Sequence, residues 1–237
     1  MFFATFDKKN SMHSTSEEDY LKAIFKLTPD DSPINTNAIA DLLATKASSV
    51  TDMIKKLAEK KLVNYIKYQG VTLTEAGKKV AILVIRKHRL WETFLVEKLN
   101  FKWDEIHEVA EELEHIKNTK LIDRLDDLLG HPKNDPHGDP IPDKFGKFKH
   151  SNEVPLDQLK EGDQCVLHGV NDDSAEFLQY LDRISIELGS NITIIEKFPF
   201  DHSMKIKINL RNEINISATV SENLSVIKEG YNPKKVP

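Results

Sequence analysis

The sequence predicts a mainly α chain that opens with a helix-turn-helix and a hairpin and closes with a small β-rich domain. Apolar residues recur at helical spacing through most of the first half of the chain. Four prolines then break regular structure in residues 131–142, and short runs of β-branched residues follow. We expect a disordered leader in residues 1–14, a first domain in 15–83, a second in 84–150 and a third in 151–237.

The composition is that of a soluble globular protein. The 237 residues, of which 39% are hydrophobic and 30% charged, are enough for two or three small cores. No apolar run approaches the roughly 20 residues that span a bilayer, so we expect no membrane association. The opening residues are too few and too charged for a secretory signal, and Met12 is an alternative natural start. The single cysteine, Cys165, excludes an internal disulfide and fits a reducing cytoplasm, where we expect the protein to reside.

Charge is distributed unevenly along the chain. The net charge of −5 does not suggest a nucleic-acid partner for the chain as a whole. Between Lys46 and Lys79, however, eight lysines stand against three acidic residues. Six acidic residues and no lysine or arginine lie between Asp104 and Glu114. The distribution of charge is therefore more informative about partners than its sum.

The first domain contains the helix-turn-helix. Ser16 to Asp19 has the form of a capping box that opens a helix through Leu27, so Asp19 can serve simply as a first-turn acid. Asn35 then begins a short helix, and Ser48 is the expected cap of a third. The apolar stripe of that third helix has helical spacing and comprises Val50, Met53, Ile54 and Leu57.

A two-stranded hairpin follows the helix-turn-helix, in residues 62–73 with a turn at Gln69 and Gly70, and the combination is a winged helix. In that geometry the second helix of the motif enters the major groove of DNA and the hairpin tip lies near the backbone. The local lysine surplus favours DNA over the alternative, a protein-interaction module. Lysines fit phosphate contacts, whereas Ser, Thr and Asp can reach bases. The expected contact residues are Ser48, Ser49, Thr51, Asp52, Lys55 and Lys56 on the helix and Lys67 and Gln69 at the hairpin tip.

The second domain places imidazoles and carboxylates beside apolar helix faces. Successive helical residues are turned by about 100°, so the pattern predicts a buried arc next to a polar one. The buried arc comprises Ile106, Val109, Ala110, Leu113 and Ile116, and the polar arc comprises His107, Glu111, Glu114 and His115. His88 and Glu92 lie one turn apart on the preceding helix. Such groups at the edge of a core need partners, and a divalent cation is the best candidate, with a solvated acidic face as the alternative.

Two further features of this region allow more than one interpretation. Asp135 and His137 lie in the proline-rich loop, and we take them as ordinary surface unless the loop folds over His88 and Glu92. An amphipathic helix that ends at Gly130 adds to the apolar helix surface of this region, which exceeds what one small domain can cover. That excess is compatible with a homodimer, but packing within the chain would explain it as well.

The third domain is predicted to be a small β-barrel-like unit of roughly 80 residues. Strands are expected at residues 164–167, 191–197, 205–210 and 213–218, with a helical pattern at 172–188. Residues 151–157 have the character of a linker. The domain contains no recognisable catalytic motif.

These segments, in this order, resemble the three-domain form of the diphtheria-toxin-repressor family of metal-dependent transcriptional regulators. The resemblance covers nearly everything after residue 14. It is carried by SEEDYLKAIF, SSVTDMIKKL, RKHRLWETFL, IHEVAEELEH, HPKNDPHGDPIP, PLDQLKEGDQCVL and LDRISIELGSNITII. It implies an SH3-like third domain and a homodimer that binds double-stranded operator DNA and represses metal-uptake genes.

The resemblance also implies two cation sites in each chain. The primary site maps onto Asp19, Glu111, Glu114 and His115. The ancillary site maps onto His88, Glu92 and His107, extended in some members by the positions of Asp135, His137, Asp173 and Glu176. Because the primary ligands come from two domains, ion binding would tie these domains together and set the spacing of two recognition helices on DNA.

Departures from other members favour manganese. Iron-responsive members place methionine at the Asp19 position and cysteine at the Glu111 position, and the two-domain manganese regulators have glutamate in place of Lys22. We therefore expect Mn²⁺ as the effector, with Fe²⁺ as the alternative, and no closely spaced metal pair. Asp135 and Asp139 stand where some members have polar residues for an anion, which favours a cation there.

Two other function classes remain open on the residues alone. A dinuclear carboxylate enzyme would also use Glu and His from facing helices, but the stretch from Glu111 to His115 has no matching motif on a second helix. A metal-independent winged-helix regulator would leave the polar arc unexplained. We therefore predict a regulator without enzymatic activity.

Overall fold

The computed structural model describes residues 13–28, 31–149 and 152–228. Contacts divide the chain into two compact units, one up to Arg86 and the other from Lys87. Nearly all of the expected leader, including Met12, lies outside the described residues. Within the described ranges, no helix has both the length and the apolar character needed to cross a membrane.

The first unit is a winged helix. Its elements are α1 (Thr15–Leu27), α2 (Thr36–Leu42), α3 (Ala47–Glu59), β1 (Val63–Ile66), β2 (Gly70–Leu73) and the start of α4 (Glu75–Leu99). The apolar stripe predicted for α3 packs its buried members, Val50, Ile54 and Leu57, into one core with α1. β1 and β2 pair antiparallel, so the hairpin predicted from the sequence is present. Its turn is at residues 67–69 rather than at Gln69 and Gly70, because Gly70 already pairs with Ile66.

Two helix starts differ from the expectation. The capping box of α1 is formed by Ser14 and Glu17, each bonding the backbone of the other, rather than by Ser16. The stretch contains two Ser-x-x-acid registers, and helical periodicity does not choose between them. Helix α3 begins at Ala47, with Lys46 at the N-cap and no side-chain cap, so Ser48 lies inside its first turn.

The helical part of the second unit comprises the rest of α4, α5 (Ile106–Leu113) and α6 (Thr119–Leu128). Leu90, Ile106, Ala110 and Leu125 belong to its core. Helix α6 ends, as expected, before Gly130, whose φ of +71° suits a residue without a side chain. Ile141, at the end of the proline-rich loop, is buried in the same core and anchors the loop against the helices.

The β part of the second unit is a six-stranded antiparallel sheet in the order β3-β8-β4-β5-β6-β7. Its strands are β3 (Val154–Pro155), β4 (Gln164–Val170), β5 (Asn191–Lys197), β6 (Met204–Ile208), β7 (Asn212–Ile216) and β8 (Leu224–Lys228), with helices α7 (Ala175–Arg183) and α8 (Ala218–Glu222). Sequence patterns missed β3, α8 and β8. Residues 154–157, expected in a linker, instead belong to β3 and to a 3-10 helix (Leu156–Gln158), because Val154 and Pro155 pair with β8 and Leu156 is buried in the domain core.

The proline-rich loop packs directly on the sheet of its own unit. The backbone N–H of Val170 donates to the carbonyl oxygen of His137 at 2.9 Å. Gly138 lies against the backbone of His168 and Gly169, so closely that a Cβ atom on Gly138 would lie 2.2 Å from the His168 oxygen. The loop is therefore held between the helices and the sheet.

Candidate metal centre and nucleic-acid interface

Helix α4 supplies two buried side chains, His88 and Glu92, that face each other one turn apart. The Nε2 atom of His88 lies 3.0 Å from Oε1 of Glu92, and its Nδ1 atom lies 2.6 Å from Oε2 of Glu114. Glu92 and Glu114 are 2% and 1% exposed. One imidazole is thus held between two carboxylates that water does not reach.

His107, on the first turn of α5, joins this cluster. Its Nδ1 atom lies 3.7 Å from Oε1 of Glu92 and 3.5 Å from Oδ2 of Asp173, which the β domain contributes. The same atom is buried and has no hydrogen-bond partner. Its Nε2 atom lies 3.4 Å from Oε1 of Glu111. A buried imidazole nitrogen without a donor or acceptor is costly unless something occupies the space in front of it.

His137 brings the proline-rich loop to the same carboxylate. Its Nε2 atom lies 2.8 Å from the carbonyl oxygen of Trp103, which can only accept, so Nε2 carries the proton. In the neutral ring, Nδ1 then carries no proton and has a free lone pair. This atom lies 3.7 Å from Oε1 of Glu92. A lone pair that faces a carboxylate is unfavourable on its own and favourable when a cation lies between them.

The spacing of these atoms fits a divalent cation. Two ligand atoms that are each about 2.1 Å from one ion lie roughly 3 Å apart when adjacent and up to about 4.2 Å apart when opposite. The separations between ring nitrogens and the Glu92 oxygen are 3.0, 3.7 and 3.7 Å. Two groups share Glu92 with ligand atoms close enough for one ion, namely His88 with His107 and Asp135 with His137. The loop therefore folds over His88 and Glu92, which is the condition under which its residues were expected to matter.

Electrostatics in the cluster favour a positive charge. Burial by itself would raise the pKa of Glu92, but the neighbouring imidazoles of His107 and His88 outweigh burial and lower it. The carboxylates of Glu111 and then Glu92 raise the pKa of His107 to about 9. Protons on imidazole therefore offset the buried carboxylates here, and a bound cation would take their place.

Asp135 holds the loop in shape. Its Oδ1 atom accepts the backbone N–H groups of His137 and Asp139, at 2.9 and 3.0 Å. Its Oδ2 atom lies 3.4 Å from Nε of Arg89, which also contacts Asp139. Burial, followed by the charges of Glu92 and Asp139, raises the pKa of Asp135. The guanidinium of Arg89 thus supplies positive charge to both loop carboxylates, Asp135 and Asp139. A role for Asp135 as a metal ligand stays a prediction.

The remaining predicted ligands are placed as follows. Glu176 is exposed in the first turn of α7, and among the described residues no group that could hold an ion includes it. His115 follows the end of α5, with Nε2 3.7 Å from Oε1 of Glu114. Glu111 is exposed on the same helix. Asp19 is half-buried on α1 of the first unit. The primary ligands therefore lie on α1 and at the C-terminal end of α5.

The predicted DNA-contact residues lie on the outer side of the winged helix. Those exposed on α3 and at the hairpin tip are Ser48, Ser49, Asp52, Lys55, Lys56, Lys67 and Gln69. Thr51 is half-buried and donates to the carbonyl oxygen of Ala47 at 2.9 Å. Lys55 lies 3.4 Å from Asp52 and is still largely solvated. All eight residues belong to the recognition helix or the hairpin, as the sequence predicted.

Sequence patterns missed two residues of this unit. Tyr68 is 94% exposed at the hairpin tip, with φ +67° and the ammonium of Lys67 4.9 Å from its ring centre. Glu17 is fully buried and lies 2.7 Å from Nζ of Lys60 and 3.0 Å from Nζ of Lys56. Burial would raise the pKa of Glu17, but the hydrogen bonds with these lysines lower it to about 2. An aromatic residue at a hairpin tip could have flagged Tyr68, whereas nothing local indicates the Glu17 contacts.

Three family models match the chain in order. Residues 12–71 match the N-terminal DNA-binding domain of the iron dependent repressors. Residues 74–143 match the metal binding and dimerisation domain of the same repressors. Residues 154–228 match the FeoA domain.

Known proteins show the same similarity. The chain is 36% identical to the transcriptional regulator MntR of Oceanobacillus iheyensis over 52% of its own length and 84% of that protein. It is 32% identical to the iron-dependent repressor IdeR of Mycobacterium tuberculosis over 56% of its own length and 57% of that protein. A manganese-dependent transcriptional repressor solved with manganese superposes with a TM-score of 0.82 at 32% identity, covering 90% of this chain and 99% of the other.

Proposed function

The chain belongs to the three-domain form of the diphtheria-toxin-repressor family, whose members are metal-dependent DNA-binding transcriptional repressors of metal homeostasis, and we propose that Mn²⁺ activates it through the primary and ancillary sites defined above. Because the family consists of regulators, the dinuclear-enzyme alternative is discarded. The FeoA match and the six-stranded sheet agree with the expected SH3-like third domain.

The observation that carries the metal proposal is the set of ring nitrogens directed at Glu92. His107 leaves Nδ1 without a partner, and His137 directs an unprotonated Nδ1 at the same buried oxygen. Without a metal ion, protons on the imidazoles must offset the charge of Glu92, and a bound cation would do so while also using both ring nitrogens as ligands. A solvated acidic face, the alternative from the sequence, does not describe a glutamate that is 2% exposed.

We infer that Asp19 of the first unit joins Glu111, Glu114 and His115 of the second unit in the primary site. Bound metal would supply positive charge that offsets the repulsion among these carboxylates. Ligands from both units then favour one arrangement of the winged helix relative to the helical domain. The arrangement that suits operator DNA sets the two recognition helices of a dimer about one DNA turn apart.

The donor set supports manganese. The proposed ligands are carboxylates and imidazoles, without thiolate or thioether, and hard oxygen donors suit Mn²⁺. The only cysteine of the sequence, Cys165, is buried in the β domain core and takes no part. Iron is the alternative because an iron-dependent repressor is among the relatives.

The partners we propose are a second copy of the chain and double-stranded operator DNA. Helices α4 and α6 expose Leu99, Leu121 and Leu128, which would supply apolar surface for a dimer. Dimerisation agrees with the match to a dimerisation domain. We place this activity in the cytoplasm, where the operator is accessible.

The test compares operator binding with Mn²⁺ and with chelator for three proteins. The wild-type protein should bind only with Mn²⁺. Glu114→Ala should abolish the metal response because it removes a buried ligand, and the dimer should persist in gel filtration. Glu112→Ala is the matched control, since Glu112 is exposed on the same helix and lies outside both sites. Full-strength binding by Glu114→Ala in chelator, or by the wild-type protein without metal, would contradict the proposal.

A further inference from the structure

The tip of the β1–β2 hairpin presents an aromatic ring to solvent. Tyr68 is 94% exposed and stands between Lys67 and Gln69 in the turn. One exposed aromatic residue is common on protein surfaces and would mean little by itself. Here the backbone of the same residue and the way in which the hairpin is held add two independent observations.

The backbone of Tyr68 is unfavourable for a side chain of its size. Its φ of +67° lies in the left-handed region, where glycine and asparagine are common and a bulky residue is an outlier. The turn therefore carries a strained residue whose ring contributes almost no buried surface to the fold. Strain of this kind is typically retained where the side chain has a function.

The hairpin is held in a fixed position on the winged helix. Val71 and Ile34 exchange two backbone hydrogen bonds, at 2.9 and 3.0 Å. A Cβ atom on Gly70 would lie 2.6 Å from the Ile34 oxygen, so this close approach requires glycine. Val63 and Val71 are buried in the core that also contains the apolar face of α3. The position of the tip relative to the recognition helix is therefore set before any partner binds.

The surroundings of the ring favour DNA as the partner. The ammonium of Lys67 lies 4.9 Å from the ring centre, and lysines outnumber acidic residues eight to three between Lys46 and Lys79. A strand of four residues is roughly 13 Å long. This length is of the same order as half a DNA turn, roughly 17 Å, which separates a major groove from the next minor groove. A hairpin that begins just after α3 can thus reach the backbone beside the groove that α3 enters.

We propose that Tyr68 is a DNA contact, in which the ring packs against the deoxyriboses that border the minor groove next to the recognition helix. Sugars offer apolar C–H surface in every sequence, so the contact adds affinity and fixes the register of the recognition helix without reading bases. It depends on an apolar ring, whereas the lysine contacts depend on charge. This inference rests on the proposed function, because it needs the winged helix to bind operator DNA.

Tyr68→Asn separates loss of the contact from loss of the fold. Asparagine tolerates a left-handed backbone better than tyrosine does, so the variant should unfold at the same temperature as the wild-type protein or a higher one. Covering about 60 Å² of the ring corresponds to about a tenfold gain in affinity. Tyr68→Asn should therefore bind the operator at least about tenfold more weakly at saturating Mn²⁺. Tyr68→Gly repeats the test with the residue that suits this backbone best.

Three further variants identify what the contact depends on. Tyr68→Phe keeps the ring and should stay within about threefold of the wild-type affinity, because a solvated hydroxyl contributes little. Lys67→Ala should lower the salt slope of binding by about one unit per protomer, whereas Tyr68→Asn should leave the slope unchanged. Phe200→Asn is the matched control, because Phe200 is 98% exposed at the turn between β5 and β6 of the third domain. Fluorescence anisotropy with labelled operator over a series of salt concentrations measures all of these effects.

Hydroxyl-radical footprinting at saturating protein locates the contact on DNA. The wild-type protein should protect deoxyriboses in the minor groove beside each recognition-helix site. Tyr68→Asn should lose that protection and keep the protection of guanine N7 in the major groove. Identical sugar protection by both proteins, or an equal loss of affinity in Tyr68→Phe and Tyr68→Asn, would overturn the inference.

The same experiments distinguish failure of this inference from failure of the proposed function. A wild-type protein that does not bind the operator with Mn²⁺ would overturn both. Metal-dependent binding by the wild-type protein, with the same affinity in Tyr68→Asn and Tyr68→Gly, would overturn the role of Tyr68 alone.

Discussion

Replacement of Gly138 by alanine tests whether the proline-rich loop must lie tightly on the sheet. Gly138 has a φ of +95°, and a Cβ atom on it would lie 2.2 Å from the His168 oxygen and 2.3 Å from Cα of Gly169. Contacts of a real Cβ stay above 3.0 Å, and both neighbours are backbone atoms. Loop and strand would therefore have to move apart.

The size of the effect follows from two contributions. A left-handed backbone costs a non-glycine residue about 1–2 kcal/mol. Overpacking against atoms that cannot rotate away adds about 1–3 kcal/mol. Gly162→Ala is the matched control, because Gly162 has a φ of +83° and a Cβ atom on it would meet nothing within 4 Å. Gly138→Ala should thus unfold more easily than Gly162→Ala by about 1–3 kcal/mol.

Urea unfolding followed by tryptophan fluorescence measures this difference, because Trp91 and Trp103 both belong to the second unit. The variant should also lose affinity for the ancillary ion, since the displaced loop carries His137. Equal unfolding midpoints for Gly138→Ala and Gly162→Ala, together with unchanged Mn²⁺ stoichiometry, would refute the reasoning.

Three further predictions concern the winged helix and the choice of ion. Glu17→Gln should destabilise α1 and α3 by about 1–3 kcal/mol, because the lysines around this buried carboxylate lose a charged partner. Amide hydrogen exchange in the presence of chelator measures the stability of the two helices. The exposed Glu59→Gln is the control and should leave the exchange rates unchanged. Lys55→Ala should weaken binding to all DNA sequences alike and lower the salt slope by about one unit; a loss confined to one base pair would argue against a phosphate contact. Asp19→Met combined with Glu111→Cys should shift activation from Mn²⁺ towards Fe²⁺, because sulfur ligands favour softer ions. Operator affinity across buffered concentrations of both ions, without oxygen, measures the shift, and a wild-type protein that responds better to Fe²⁺ would contradict the manganese assignment.

Local sequence determined the features that depend on neighbours along the chain. Helical spacing placed His88 and Glu92 on one face, and their atoms lie 3.0 Å apart. The cap at Asn35 and the end of α6 before Gly130 were also predicted correctly. The predicted caps of α1 and α3 were wrong. The start of α1 offers two Ser-x-x-acid registers, and α3 begins after Lys46, which makes no side-chain cap. Glu17 both caps α1 and is buried against Lys60, a contact that the local sequence does not indicate.

Contacts between distant segments were decided only by the tertiary structure. The order of motifs in the sequence indicated the family and therefore which residue types to expect near a metal. The resemblance named His107, His137 and Asp173 as ancillary positions, but only the structure gives the distances of the two imidazoles from Glu92 and of Asp173 from His107. Nothing in the sequence indicated that Arg89 contacts Asp135. The reason is physical: periodicity reports which face of an element is buried, whereas the side chains that meet across that face depend on how helices, loop and sheet pack together.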